Sequence, residues 1–225
     1  MNGVKKVFPR TLPIVISYFF LAIGFGVLVK SVGQPNRIGG LMSGGIYAGA
    51  MQFAMVSLFS EPLNVLELVI LTVSINLRYL FYSLSLLGPL SKLPMYKRLL
   101  VVHFASDETF SLYVTGGEDG NMATGKDMFS MGLINFVTWV GATLLGGWIG
   151  AMLPVDATGV EFMMTALFIT AFLEQWKGTD HHFPAIFGVA ASVLSLLIVG
   201  PEKFILPSML LILVGDLYYR RKYVH

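Results

Sequence analysis

Eight apolar runs, divided by short polar breaks, fill about two thirds of the chain, at positions 12–29, 38–59, 65–87, 99–114, 128–153, 162–176, 183–199 and 204–219. A bilayer hydrocarbon core about 30 Å thick takes roughly 20 apolar residues as a helix. Backbone N–H and C=O groups find no water at that depth, so each run has to satisfy them internally and is read as helical. The expected fold class is therefore all-α: a polytopic integral membrane helical bundle of seven or eight hydrophobic segments.

Composition agrees and removes other classes. Only 12% of the residues are charged, about half the share of a soluble domain, too few to coat a water-facing surface. A net charge of +2 and the lack of a basic stripe with interleaved aromatics speak against nucleic acid. With no cysteine, disulfides, iron–sulfur clusters and thiolate zinc sites are excluded. Lys5, Lys6 and Arg10 precede the first run, which exceeds a signal-peptide core in length and ends in no small-residue cleavage site, so it is read as a retained first helix. The linkers leave no room for an extramembranous domain. Residues 1–225 are expected to form a single transmembrane domain.

Charge placement restricts topology. The positive-inside rule puts Lys5, Lys6 and Arg10, Lys92, Lys97 and Arg98, and Arg220, Arg221 and Lys222 in the cytoplasm, with Glu118 and Asp119 outside. Eight simple crossings place Lys92–Arg98 on the wrong side. Broken or re-entrant second and sixth segments repair this, although Lys30 and Arg37 still fit poorly. The repair divides the chain into two halves of opposite orientation, the inverted-repeat plan in which interrupted helices mark the solute site. Its sequence trace is faint: Ala50-Met51-Gln52-Phe53 against Leu173-Glu174-Gln175-Trp176.

Polar residues inside the apolar runs carry the chemistry. In the second run, Gly40, Gly44, Gly45 and Gly49 are spaced for close helix packing. The same stretch also reads as an unwound segment in which Tyr47 and Gln52 face a solute. In the third run, Arg78 lies deep, where insertion costs roughly 2.5–3.5 kcal/mol. Either a substrate carboxylate or an internal acid offsets that cost, or the side chain reaches an interface. Tyr82 shares its helix face, and Asn76 precedes it. In the fourth run, Asp107 and Glu108 point about 100° apart. One is a candidate partner for Arg78 or a proton carrier, while the pair also suits a helix start with Asp107 as cap. Glu67, Glu174 and Asp216 lie near segment ends and read as interfacial. His181-His182 makes weak metal geometry, so neither a metal nor a cofactor is expected. No phosphate loop or nucleophile elbow occurs, and an intramembrane hydrolase would have only His103 as base for Ser83 or Ser85. An enzyme is not expected.

Taken together, Pro13-Ile14-Val15-Ile16-Ser17-Tyr18, Tyr47-Ala48-Gly49-Ala50-Met51-Gln52-Phe53, Asn76-Leu77-Arg78-Tyr79-Leu80-Phe81-Tyr82-Ser83-Leu84-Ser85 and Asp107-Glu108 resemble the AzlC family, in order and spacing, over nearly the whole chain. That family comprises the large subunits of bacterial branched-chain amino acid exporters. The resemblance implies export of leucine, isoleucine, valine or methionine across the cytoplasmic membrane, driven by protons, with a small AzlD-type membrane subunit as partner. One departure stands out: the family pattern usually has histidine after the arginine, and here Tyr79 occupies that place. The residues themselves support a small amphipathic zwitterion. Arg78 can hold its carboxylate, with Tyr47, Gln52, Asn76 and Tyr82 nearby, and Asp107 or Glu108 serves as proton carrier or ion-pair partner. The alternative is a non-transport scaffold subunit. Polar groups converging from the second, third and fourth segments favour transport, and scattered ones favour a scaffold.

Overall fold

The computed structural model describes residues 3–60, 65–117, 120–152 and 182–201, with scattered positions between 162 and 177 and between 204 and 219. Glu118, Asp119, Glu174, His181, Asp216 and the side chain of Glu67 lie outside the described residues. Among those described, every regular element is helical: α1 (Gly3–Ser31), α2 (Asn36–Gly45), α3 (Gly49–Ser57), a short 3₁₀ turn (Leu58–Ser60), α4 (Val65–Leu90), α5 (Met95–His103), α6 (Asp107–Thr115), α7 (Gly125–Met152) and α8 (Phe183–Val199). Within α1 and α7, the stretches Lys5–Ser31 and Gly125–Met152 are long and apolar enough to cross a membrane. Two compact units divide the chain, Met1–Asn64 with Ile75–Met164 and Val65–Ser74 with Thr165–His225.

In the first unit α1 and α7 run parallel. Lys6 lies 3.7 Å from Asp127, the Tyr18 ring sits 5.0 Å from the Trp139 ring, and Gly26 meets Gly147, so contacts advance in the same direction along both helices. Small residues allow the approach. A Cβ added at Gly26 would lie 2.1 Å from the Thr143 carbonyl oxygen, and one at Gly146 would lie 2.1 Å from that of Ile23. A parallel pair requires the intervening chain to return once. The second half of α4 makes that return: Arg78 pairs with Asp107, and Leu86 and Leu90 reach the cluster of Val7 and Met128 at the N-terminal end of α1.

The remaining helices form two hairpins that do not cross. Helix α2 enters from the far end, with Asn36 against Gly147 and Gly39 against Thr143. The chain breaks at residues 46–48, and α3 returns, so that Val56 packs with Phe25 and Val29. Helix α5 enters from the N-terminal end, with Lys97 over the Phe129 ring. It breaks at residues 104–106, and α6 returns to the Arg10 guanidinium, which donates to the Gly116 and Gly117 carbonyls. Arms of 9 or 10 residues reach about 15 Å at 1.5 Å per residue, half a hydrocarbon core. Each hairpin therefore turns back about halfway along α1 and α7 and returns to the end it came from.

The structure corrects the sequence reading in three places. The fourth apolar run is two helices instead of one. Helix α6 is capped by Ser106, whose side chain accepts from the Thr109 amide, and Asp107 stands inside the first turn. Gly116 and Gly117, expected beside an acidic pair on the opposite side, lie at the N-terminal end of α1. The first and third follow from one cause: the short arms α5 and α6 turn back halfway along α7.

The second unit is built around α8. Gly188 faces Ile212, Gly215 lies against the Phe187 ring, and the Phe183 ring stacks on Tyr219 at 4.4 Å. At its start the rings of Trp176 and His182 stack at 4.1 Å.

Candidate functional site

The two hairpin tips meet halfway along α1 and α7. The His103 ring Nε2 lies 2.9 Å from the Gly44 carbonyl oxygen, joining the C-terminal turns of α5 and α2. Tyr47 carries a φ of 46°, in the left-handed region that non-glycine residues rarely occupy. That turn holds the Tyr47 ring in an aromatic cluster, 5.1 Å from Phe136 and 5.9 Å from His103 between ring centres. Gly44 and Gly45 have nothing within 4 Å where a Cβ would stand, whereas Gly40 is tight against Leu144. Close packing thus accounts for Gly40 and leaves open space beside Gly44 and Gly45.

A neutral network pins the first tip. Gln52 is fully buried, and its amide is engaged at both ends. Its Nε2 donates to the Ser43 hydroxyl (3.0 Å) and its Oε1 accepts from the Trp139 indole N–H (3.1 Å). Ser43 in turn shares a hydrogen bond of 2.8 Å with Thr143. Asn135, Trp139 and Thr143 are spaced four apart, so one face of α7 serves as a polar ladder inside an apolar helix.

Charged groups organise the second tip. An Arg78 Nη1 donates to Asp107 Oδ2 at 2.8 Å. Tyr82, one turn along α4, donates to the other oxygen of the same carboxylate at 2.8 Å, and its ring stacks on Phe110 at 4.2 Å. The guanidinium also lies over the Tyr79 ring at 5.2 Å, an arrangement with cation–π attraction. Glu108 accepts from the Tyr18 hydroxyl at 2.7 Å. Tyr18 also meets Ser106, which donates to Thr109 (2.9 Å), and Thr109 accepts from Asn135 Nδ2 (3.0 Å). Acids at the first turn of α6 are favoured by its macrodipole.

Several buried polar atoms complete no hydrogen bond: the Tyr47 hydroxyl, Asn76 Oδ1, Arg78 Nε and Asn135 Oδ1. Of the residues singled out in the sequence, Arg78, Tyr82 and Asp107 come together directly. Glu108 is held through Tyr18, Tyr47 stands at the first tip, Gln52 is enclosed by protein, and Asn76 is two residues before Arg78 with its oxygen unused. Tyr18, His103, Asn135 and Trp139 are central residues that the sequence reading had not placed at the site. The spacing of Asn135, Trp139 and Thr143 along one apolar run was the signal available for two of them.

A family profile described as AzlC protein matches residues 13–153. This chain belongs to the AzlC family. The matched span contains both hairpins and α7. Among relatives, the chain is 35% identical over 218 residues to the branched-chain amino acid transport protein AzlC of Bacillus subtilis, covering 97% of this chain and 85% of that protein. It is 31% identical over 222 residues to an uncharacterized membrane protein of Helicobacter pylori, covering 99% and 97%. It is 26% identical over 183 residues to the inner membrane protein YgaZ of Escherichia coli, covering 79% and 73%. No solved structure matches this AzlC-family chain.

Proposed function

We propose that this chain is a multi-pass secondary transporter of the bacterial cytoplasmic membrane that exports branched-chain amino acids, with methionine as a further solute. The observation that carries the reading is the Arg78–Asp107–Tyr82 cluster at the break before α6, with Arg78 Nε left unpaired. Irregular backbone in a membrane is tolerated where it lines a cavity, and broken helices mark solute sites. Polar groups from the second, third and fourth segments converge here, which favours transport over a scaffold role. The name of the Bacillus subtilis relative supplies the solute class.

In this reading Arg78 takes the solute carboxylate, with Tyr47, Asn76 and Tyr82 around it, and Gln52 fixes the hairpin that carries Tyr47. Asp107 or Glu108 carries the coupling proton. Lys5, Lys6, Arg10, Lys92, Lys97, Arg98 and Lys126 lie at the N-terminal end of α1 or in the turns that reach it, so that end is cytoplasmic. The repeat expected from charge placement set the second apolar run against the sixth, most of which lies outside the described residues; we set instead α1 with the α2–α3 hairpin against α4 with the α5–α6 hairpin, entering from opposite sides. The whole chain acts as a single membrane domain, and a small AzlD-type subunit completes the transporter.

Efflux of radiolabelled leucine from cells that express the chain with that subunit tests the proposal. Efflux should require both proteins and disappear in Arg78→Ala at unchanged expression. Arg78→Lys should also fail, because an ammonium is a point charge and not a fork. The exporter reading is lost if no leucine, isoleucine, valine or methionine leaves the cells in any combination.

A further inference from the structure

The cluster holds more carboxyl groups than cations. Arg78 pairs with Asp107, and Glu108 adds a second carboxyl whose partner is the Tyr18 hydroxyl. That second carboxyl lies at one end of a row of polar contacts that runs through Tyr18, Ser106 and Thr109 to Asn135. At the other end of that row two polar groups are buried without a partner. Asn135 is fully buried, with its Nδ2 engaged by Thr109 and its Oδ1 free. Tyr47 is 4% exposed, and its hydroxyl lies alongside Thr109 without completing a hydrogen bond.

Leaving a buried polar atom unpaired costs about 1–3 kcal/mol, so two beside one hydroxyl mark a place where something else binds. The chemistry on offer is that of an acceptor: a free amide oxygen and phenol lone pairs, with the Glu108 carboxyl one residue before Thr109. Arg78 offers the reverse, a free N–H donor. An ammonium group has three donors and no acceptor, and a carboxylate has only acceptors. We propose that Asn135 and Tyr47, set on Thr109 and backed by Glu108, form a second station that binds the solute's ammonium group while Arg78 binds its carboxylate. The inference rests on the amino acid reading above and adds where the amine goes and why a zwitterion is preferred. Asn135 and Tyr47 touch the solute, whereas Tyr18 and Ser106 position Glu108 and Thr109.

Leucine analogues that lack one end separate the two stations. Isocaproate is leucine without its amino group, and isoamylamine is leucine without its carboxylate. Each is measured by displacement of radiolabelled leucine from the purified full chain with its small subunit in lipid nanodiscs. In Asn135→Leu and in Tyr47→Phe, leucine and isoamylamine should each bind about tenfold more weakly or worse, the scale of one lost charged hydrogen bond. Isocaproate should change by less than about twofold, which also shows that the variants are folded. Arg78→Ala should do the opposite, losing isocaproate and keeping isoamylamine. Equal weakening of both analogues in Asn135→Leu and Tyr47→Phe would make the two residues structural and overturn the proposal, as would loss of isocaproate alone. If the wild type binds isoamylamine but not leucine, the amine station stands while the transport reading fails. If it binds isocaproate but not isoamylamine, the station fails while Arg78 stands.

Discussion

The two hairpins have the same shape and opposite chemistry. The α2–α3 tip is held by neutral hydrogen bonds, with Gln52, Ser43, Thr143 and Trp139 all enclosed, and the first turn of α3 has Ala48 as an N-cap with no side chain to offer. The α5–α6 tip is held by ions: Arg78 with Asp107 and Tyr18 with Glu108, behind a Ser106 cap that satisfies the Thr109 amide. The Gln52, Ser43, Thr143 and Trp139 groups use one another up and can fix a shape, leaving only the Tyr47 hydroxyl of that tip unpaired. An ionic set with an unpaired Arg78 Nε can fix a shape and also respond to charge. In the proposed reading, Gln52 and Ser43 anchor the first tip, while the ionic tip, with the Tyr47 hydroxyl facing it, takes part in recognition.

The sharpest way to break that assignment is to delete the ion pair as a unit. Arg78→Leu alone leaves Asp107 without its cation. Breaking a fully buried pair costs about 3–5 kcal/mol. The side chains here are 29% and 30% exposed, so about 2 kcal/mol is expected after solvent screening. Replacing both residues by leucine removes the orphaned charge and should return most of that stability, read as the melting temperature in detergent. Leucine efflux should stay absent in the double variant. Recovery of efflux together with stability would mean that the pair is only scaffolding and that recognition lies elsewhere.

The next largest effect belongs to the neutral tip. Gln52→Leu strands the Trp139 indole N–H and removes a donor from Ser43, at about 1–3 kcal/mol for each buried group left unpaired. Stability should fall clearly, while the folded protein keeps the leucine KM of the wild type within about twofold, because an amide used at both ends is a poor contact for a solute. A large rise in KM with stability intact would return Gln52 to the list of substrate contacts.

The two tips also differ in how far they could be read from sequence. The break at residues 46–48 was legible because Gly44, Gly45 and Gly49 surround Tyr47 and Gln52, an unusual density of small and polar residues for an apolar run. The break at residues 104–106 was not, because Phe104 and Ala105 belong equally well to a helix. Only Ser106, followed by two acids, marks a new start, and the cap was placed one residue late. Arg78, Tyr82 and Asp107 were legible because charge at mid-depth needs a partner. Asn135 and Trp139 were overlooked because one asparagine and one indole in a long apolar run look incidental. Their spacing with Thr143 acquires meaning only once α7 is known to face both tips. The parallel run of α1 and α7 could not be read locally at all, since it depends on two hairpins failing to cross.

The smallest expected effect tests what the uncapped tip is for. Ala48 has the extended backbone of an N-cap, with φ −128° and ψ 91°. A serine there can accept from the first-turn amides of α3 at no backbone cost, so Ala48→Ser should stabilise by about 1 kcal/mol. Ser106→Ala should destabilise by at least as much, since that hydroxyl also serves Tyr18 and Thr109. A transporter has to expose its site to each side in turn, and within the anchored α2–α3 tip the uncapped turn at residues 46–48 is the part that costs least to move. Ala48→Ser should therefore lower the maximal rate of leucine efflux by about twofold with KM unchanged, the signature of a slowed conformational step. A stabilised variant that transports at the wild-type rate would show that the α2–α3 tip stays still and that any movement belongs to the ionic hairpin.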